Sequence, residues 1–431
     1  MAEDLRVAPT VSGGPVNVDQ PARPGEPMLR WTSHVTSLED VERELARIWS
    51  EPDLMVAIDG APSGRHIAAR TSVMNLVVIA RQPEVGERAA GIISRLTGRH
   101  PSRTLIVQSA DPDGPSWCDA RIQALCVLPR RDAPETCSEL IFLTSGGEAG
   151  RHLSALVTPL LIHDLPVTVW WPGEPQLTGT PVLELLESAD RMIVDGAHWN
   201  GDGLARLRQL AGLYHQFDRL SIRDFALVRQ SRWREAIATV FDLPDLLPYL
   251  GHLKRIAVTY GTHDATGNPG TTNVVKPLYH ASWLASRLGL RVAAPMQPAE
   301  PPLSGTRSGR PRRLPGEPQP LHRGLRGLLR GHSGEVAVII RPVASQLPPG
   351  TTLRVELLAE RRGSELRVDV TAQAEDVHVH TWIDGVQSMD RTFRAPRRND
   401  VDLLGEAIEV GGRDQLSMEA ITMAANMVEA A

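Results

Sequence analysis

Between residues 71 and 295, short apolar runs alternate with stretches whose apolar positions recur every three or four residues. TSVMNLVVIA (71–80), SRTLIVQS (102–109), WCDARIQALCVL (117–128), SELIFLTS (138–145), PVTVWW (166–171) and KRIAVTYG (254–261) read as strands. VGERAAGIISRLTGRHP (85–101), EAGRHLSALVTPLLIHD (148–164), IRDFALVRQSRWREAIATVFD (222–242) and YHASWLASRLGL (279–290) read as helical. Strands spaced by helices predict an α/β protein, a mixed sheet with flanking helices. No helix separates 117–128 from 138–145, so part of the sheet is expected to be antiparallel.

The pattern changes toward the C-terminus. GEVAVIIRP, TTLRVELLAE, SELRVDVTAQ and DVHVHTWIDG predict a four-stranded antiparallel meander, followed by two helices, NDVDLLGEAIEV and RDQLSMEAITMAANMVEA. The organisation expected is a disordered leader over 1–30, an N-terminal α/β domain over 31–197 and a C-terminal α/β domain over 198–431. A flexible Pro/Arg-rich insertion is expected at 295–332. The first helix, SLEDVERELARIWSE, has Ser37 as its cap with Asp40 in the capping-box position. Leu38, Val41, Leu45 and Ile48 form its apolar stripe.

Net charge of -5 argues against a general nucleic-acid binder. All but two of the 46 lysines and arginines are arginine, the exceptions being Lys254 and Lys276. Three cysteines, Cys118, Cys126 and Cys137, without a CxxC pair fit a reducing cytoplasm. The reading expects buried inert thiols, with Cys126 and Cys137 able to face one another across a hairpin. The N-terminus lacks the pattern of a signal peptide, and the most apolar stretch, 153–171, is interrupted by His163, Asp164 and Pro166. No membrane span is expected.

Catalytic motifs are missing. Neither lysine follows the glycines of a phosphate-binding Walker loop. VDGAHWNGDGLARL sets Gly201 and Gly203 two apart but has Arg206 at the third Rossmann position. There is no GxSxG elbow and no HExxH. His378 and His380 share a strand face without nameable further ligands. No catalytic, cofactor or metal residue is therefore assigned. The loop GTHDATGNPGTTN (261–273) could wrap a phosphate in backbone N–H groups, and it supports an alternative reading as a sugar-phosphate or nucleotide sensor or enzyme. A basic stretch at 305–330 supports a weaker idea, a nucleic-acid contact.

Five segments in order, HPSRTLIV, DLPVTVWWPGEP, ADRMIVDG, IRDFALVRQSRWREAIATVFD and KRIAVTYG, resemble the glucose-6-phosphate dehydrogenase assembly protein (OpcA) family in its long, cyanobacterial-like form. The resemblance runs from about 70 to 295 and resumes more weakly in the last strands and helices. It implies a cytoplasmic, non-enzymatic assembly factor and allosteric activator of the glucose-6-phosphate dehydrogenase oligomer, supporting the oxidative pentose phosphate pathway. It implies no cofactor, no nucleic acid and no membrane. In some photosynthetic relatives control passes through C-terminal thiols. Here no cysteine follows Cys137, so a link to thioredoxin would have to use other cysteines. Trp170, Trp171, Arg232, Trp233 and Arg234 stand in the most family-specific segments and are the candidate partner-binding residues.

Overall fold

The computed structural model describes residues 12–17, 20, 23–50, 55–57, 65–67, 69–110, 113–130, 135–264, 270–299 and 323–429. The chain divides into two compact units. The first comprises Met1–Val194, Arg219–Ser221 and Asp400–Gly411; the second comprises Asp195–Asp218, Ile222–Asn399 and Gly412–Ala431.

The first unit holds β1 (Ser12–Pro15), β2 (Pro27–Val35), α1 (Leu38–Ser50), β3 (Met55–Ala57), β4 (Arg65–Ile67), β5 (Ala69–Arg70), β6 (Met74–Ile79), α2 (Pro83–Ser94), β7 (Ser102–Ser109), β8 (Trp117–Val127) and β9 (Thr136–Gly146). These are followed by α3 (Gly147–Arg151), α4 (Leu153–Val157), β10 (Val167–Trp170), α5 (Thr180–Glu187) and β11 (Arg191–Val194). Within the unit the main sheet runs β1-β2-β8-β9-β7-β6-β10-β11. The side from β9 through β11 is parallel, and the side from β9 back to β1 is antiparallel. The mixed sheet therefore matches the expectation from the spacing of helices.

Local chemistry explains several boundaries. The Ser37 hydroxyl accepts from the Asp40 N–H at 3.2 Å and donates to its carboxylate at 2.7 Å, which starts α1 where the capping pattern placed it. The helix predicted over 148–164 is instead broken into α3, α4 and one 3₁₀ turn at Thr158–Leu160. Pro159 lacks the N–H that a continuous helix needs. Part of the expected leader is ordered: Ser12–Pro15 pairs antiparallel with Trp31–His34. Residues 1–11, 18, 19, 21 and 22 lie outside the described residues.

The cysteines also depart from expectation. The β8–β9 register sets Cys126 opposite Cys137, and the two are joined in a disulfide. Direct cross-strand pairing brought the thiols together, where the sequence left the hairpin register open. Cys118 is free and half-buried, and burial raises its thiol pKa.

The second unit begins beyond β11. It contains α6 (Leu204–Gln216), β12 (Ser221–Asp224), α7 (Phe225–Val228), α8 (Ser231–Val240), β13 (Leu253–Asp264), α9 (Val275–Arg287), β14 (Arg291–Pro298), β15 (Leu325–Gly331), β16 (Gly334–Ser345), β17 (Thr352–Arg361), β18 (Ser364–Gln373), β19 (Asp376–Ile383) and β20 (Val386–Arg394). The helix α10 (Asp400–Glu409) returns to the first unit, and α11 (Gln415–Val428) ends the second. The sheet order is β14-β15-β16-β13-β17-β18-β19-β20, antiparallel throughout except for the β13–β16 pair. Three of the four predicted meander strands, β17–β19, pair antiparallel in series and β20 extends them; the first, β16, is separated from β17 by β13, with which it pairs in parallel. The stretch 222–242, read as helical, opens with the strand β12 before α7 and α8. Two ends of the segment expected to be flexible, β14 and β15, pair with each other; residues 300–322 lie outside the described residues.

One face of this second sheet is apolar. Ile256, Val258 and Tyr260 on β13, Val338 and Ile340 on β16, and Val355 and Leu357 on β17 are buried. Helix α9 is buried along most of its length, with Val275, Leu278, Tyr279, Ala281 and Ala285 in the core. A nearly all-buried helix can carry a polar side chain only where that side chain finds a partner or an opening. Lys276 and His280, one turn apart on α9, are two such side chains.

Candidate functional site

The site is built at the start of α9. Its scaffold is a set of side chain to backbone bonds. Asn273 donates from Nδ2 to the carbonyls of Gly196 at 2.9 Å and Trp199 at 3.0 Å, while its Oδ1 accepts from the Val275 N–H at 3.0 Å. One buried amide thus ties the 196–199 turn to the first turn of α9. Gly196 sits under equal constraint: a Cβ there would stand 2.5 Å from Asp224 Oδ2 and 2.9 Å from Val275 Cγ1.

Two carboxylates lie beneath this turn in opposite states. Asp224 is wholly buried; its Oδ1 accepts from the Gly196 and Ala226 N–H groups and its Oδ2 from the Tyr279 hydroxyl, each at 2.8 Å. Burial, followed by the nearby charge of Asp195, pushes its pKa up to about 7. Burial acts in the same direction on Asp195. There the hydrogen bonds and charges of His198 and Arg229 prevail, and the pKa falls to about 2. Arg229 grips Asp195 with two bonds of 2.6 and 2.7 Å, and His198 Nδ1 lies 2.8 Å from its Oδ2.

Above the turn are two cavities of about 430 and 350 Å³ that share His198, Arg229, Lys276 and Thr351 as wall residues. The first is completed by Trp199, Gly270, Thr271 and Gly350 among others; the second by Gln230, Trp233 and His280. Arg229, Arg232, Lys276, Arg397 and Arg398 line the pair of cavities, against one wall carboxylate, Asp376. Burial first, then the charge of Arg229, lowers the Lys276 pKa to about 8. No described carboxylate is ion-paired to Lys276; the nearest to act on it electrostatically, Asp195, is already held by Arg229 and His198. His280 is fully buried and kept neutral by burial and by Lys276, packing edge-on against Trp233 with ring centroids 5.3 Å apart.

The residues proposed from sequence are distributed unevenly. Arg232 and Trp233 belong to the wall beside Lys276. Arg234 turns away and donates to the Leu227 carbonyl at 2.6 Å. Trp170 and Trp171 are buried, 2% and 3% exposed. The reason lies in the position of β10 between β6 and β11, in a strand whose four residues are all buried. Central strands of parallel sheets are covered on both faces, so alternation turns neither indole outward. His378 and His380, read as a weak metal pair, stack with centroids 6.4 Å apart on β19, and no described metal cluster includes them.

Sequence reasoning considered Lys276 only as a failed Walker lysine. A usable signal was present: it is one of two lysines in an arginine-rich chain, set just ahead of the helix read over 279–290. Arginine is always charged, whereas lysine adapts its pKa when enclosed.

Fold and site together define a two-unit α/β protein whose second unit holds a cation-lined pocket. A family model described as the glucose-6-phosphate dehydrogenase subunit N-terminal domain matches residues 93–211, and one described as the C-terminal domain of the same subunit matches 220–421. The chain belongs to the OpcA glucose-6-phosphate dehydrogenase assembly family. It is 28% identical over 204 residues to a Synechocystis protein named "Putative OxPP cycle protein OpcA", covering 46% of this chain and 39% of that one. A protein of the same name from Synechococcus elongatus is 26% identical over 178 residues, covering 41% and 37%. The chain thus spans about two fifths of the length of these curated relatives. Among solved structures, a "putative oxidoreductase from Parabacteroides merdae" is similar at 11% identity and a TM-score of 0.44, covering 84% of this chain and 99% of that one. No helix among the described residues is long and apolar enough to cross a membrane.

Proposed function

We propose that this chain is a non-enzymatic partner of glucose-6-phosphate dehydrogenase that favours its active oligomer and raises its activity, in the cytoplasm and in support of the oxidative pentose phosphate pathway. The observation that carries this reading is the pair of family matches in series, 93–211 and 220–421, each described as part of a glucose-6-phosphate dehydrogenase subunit. The polar groups at the site agree with it. Asp195 is neutralised by Arg229, and Asp224 is enclosed by backbone N–H groups and Tyr279, so neither carboxylate is presented to a substrate as a base. An assembly factor acts by binding one oligomer more tightly than another; a preference of about 1.4 kcal/mol shifts that balance tenfold.

The test is to mix the chain with the dehydrogenase of the same organism. A faster-sedimenting complex and a lower dehydrogenase KM are expected, with no turnover of glucose 6-phosphate by the chain alone. Unchanged sedimentation and unchanged kinetics, or turnover by the chain alone, overturns the reading.

A further inference from the structure

The pocket at the start of α9 contains polar atoms that the protein itself leaves unsatisfied. Gln230 donates from Nε2 to the Lys276 carbonyl at 2.6 Å, but its Oε1 is buried without a partner. His280 joins Thr352 Oγ1 through Nε2 at 3.2 Å, and its Nδ1 is likewise buried and unpartnered. The Trp199 indole N–H is a third such atom. All three residues are at least nine-tenths buried and line the two cavities. A buried polar atom without a partner is costly, and native proteins tolerate few of them. Three on residues that wall two neighbouring cavities, beside a lysine with no ion-paired carboxylate, describe a site shaped for something the chain does not supply.

The chemistry of that ligand follows from the sorting of the groups. The first cavity offers donors: the Lys276 ammonium, the Trp199 N–H and the hydroxyls of Thr271 and Thr351. With Arg229 and the neighbouring arginines, these suit a dianion rich in acceptor oxygens. The second cavity offers Gln230 Oε1, an acceptor, and His280 Nδ1, whose neutral ring accepts or donates according to tautomer. A hydroxyl, which both donates and accepts, satisfies either without regard to tautomer. The flank of Trp233 supplies an apolar wall beside them. Volumes of about 430 and 350 Å³ fall within the range of small-molecule pockets.

We propose that this pocket binds the phosphate monoester of a small polyhydroxy compound, with the phosphate at Lys276 and Trp199 and the hydroxyls at Gln230 and His280. The site lies wholly in the second unit and does not depend on the assembly reading: a chain that binds the ligand but ignores the dehydrogenase would sink one and leave the other standing. As an assembly factor, it would sense a metabolite directly.

Calorimetric titration of the full chain tests it, with glucose 6-phosphate, inorganic phosphate and glucose as probes. Glucose 6-phosphate is expected to bind, inorganic phosphate to bind at least tenfold more weakly, and glucose to give no heat. Lys276→Met is expected to weaken glucose 6-phosphate binding at least tenfold and Lys276→Arg to restore part of it. Arg330→Met, a change on exposed β15 outside the pocket, should leave it unchanged. Melting curves establish that each variant is folded. Gln230→Leu, which removes the orphaned acceptor, should narrow the gap between glucose 6-phosphate and inorganic phosphate. The proposal is overturned if no phosphate binds at millimolar concentration, or if folded Lys276→Met binds as the native chain does. Inorganic phosphate binding as tightly as the ester would overturn the hydroxyl half of the assignment.

Discussion

The sheet of the first unit and the α9 pocket of the second treat buried charge in opposite ways. In the first, every deeply buried guanidinium that shapes the sheet is matched. Arg30, fully buried on β2, makes two bonds to Glu135 of 3.1 and 2.6 Å and another to the Gln20 carbonyl at 2.9 Å. Arg103 on β7 bonds Glu139, Glu42 and the Leu160 carbonyl, while Glu139 also accepts from Trp49 at 2.6 Å and pairs with Arg70 at 2.9 Å. At the pocket, Lys276 stands beside Arg229 and Arg397 without an ion-paired carboxylate, among atoms that lack partners. Charges satisfied from within hold a scaffold together; charges left open to a cavity are available to a ligand. The comparison separates structure from function without reference to any motif.

Its strongest test lies in the first unit. Glu139→Gln should remove the buried carboxylate that pairs with Arg103 and Arg70 and leave the buried Arg103 guanidinium with only the half-exposed Glu42 as a carboxylate partner. Loss of one partner from such a network costs about 3–5 kcal/mol. Urea denaturation of the native chain and the variant measures it. A loss below about 1 kcal/mol would mean the network is not part of the scaffold and would dissolve the contrast.

How far the sequence disclosed this arrangement differs between the units and their sites. The strands 102–109, 117–128 and 138–145 were readable because they are long, β-rich and bounded by turn residues. The first helix was readable from its cap. The pairing of Arg30 with Glu135, 105 residues away, was not, because a network partner has no local signature. The same holds for the pocket: Trp199, Gln230, Lys276 and Thr351 come from four separate segments. Trp233 and Arg232 entered the reading through the family-specific Arg-Trp-Arg segment, which is a local pattern. Trp170 and Trp171 misled for the converse reason. Alternation predicts which faces differ, but not that both faces of a central strand are covered.

A second test uses the buried carboxylate below the pocket. The Asp224 pKa stands at about 7 in the folded chain against an ordinary 3.8. The folded state therefore holds a proton that the unfolded state releases between those limits. Stability falls as pH rises from about 4 to about 7 and levels off above it, by a few kcal/mol at most. Asp224→Asn retains an acceptor for the two N–H groups and an amide toward Tyr279, and it does not titrate. Relative to that variant, the native chain should lose stability over pH 4–7 and then run parallel. Asp195, already ionised above its pKa of about 2, contributes stability that is lost only as pH falls from about 3.8 toward 2, so it does not mask the effect. Parallel curves across the whole range would place Asp224 among ordinary carboxylates.

The disulfide provides a third, smaller effect in the first unit. It closes a short loop between strands that already pair residue by residue, so its contribution should sit near the low end of the usual range, about 2 kcal/mol. Reduction should lower the unfolding free energy by that amount, and alkylation after reduction should label three thiols rather than one. Three labelled thiols before reduction would show Cys126 and Cys137 unlinked in the purified chain.

The smallest expected change is the most telling for the contrast. Lys276 faces Arg229, Asp195, His198 and His280 within the fold, with Arg397 and Asp376 at the cavity wall. Its folded pKa of about 8 lies below the ordinary 10.5, so the folded chain binds this proton less readily than the unfolded chain does. The penalty is fully present below about pH 8 and disappears as pH rises toward 10.5. Lys276→Met should accordingly leave stability unchanged or raise it by about 1 kcal/mol at pH 7, where the cavity lets solvent screen part of the charge. The difference should close by pH 10.5. Glu139→Gln removes a charge that others depend on; Lys276→Met removes one that nothing in the described fold requires. If the lysine variant instead lost several kcal/mol at pH 7, Lys276 would belong to the scaffold as Arg103 does, and the open pocket would lose its physical basis.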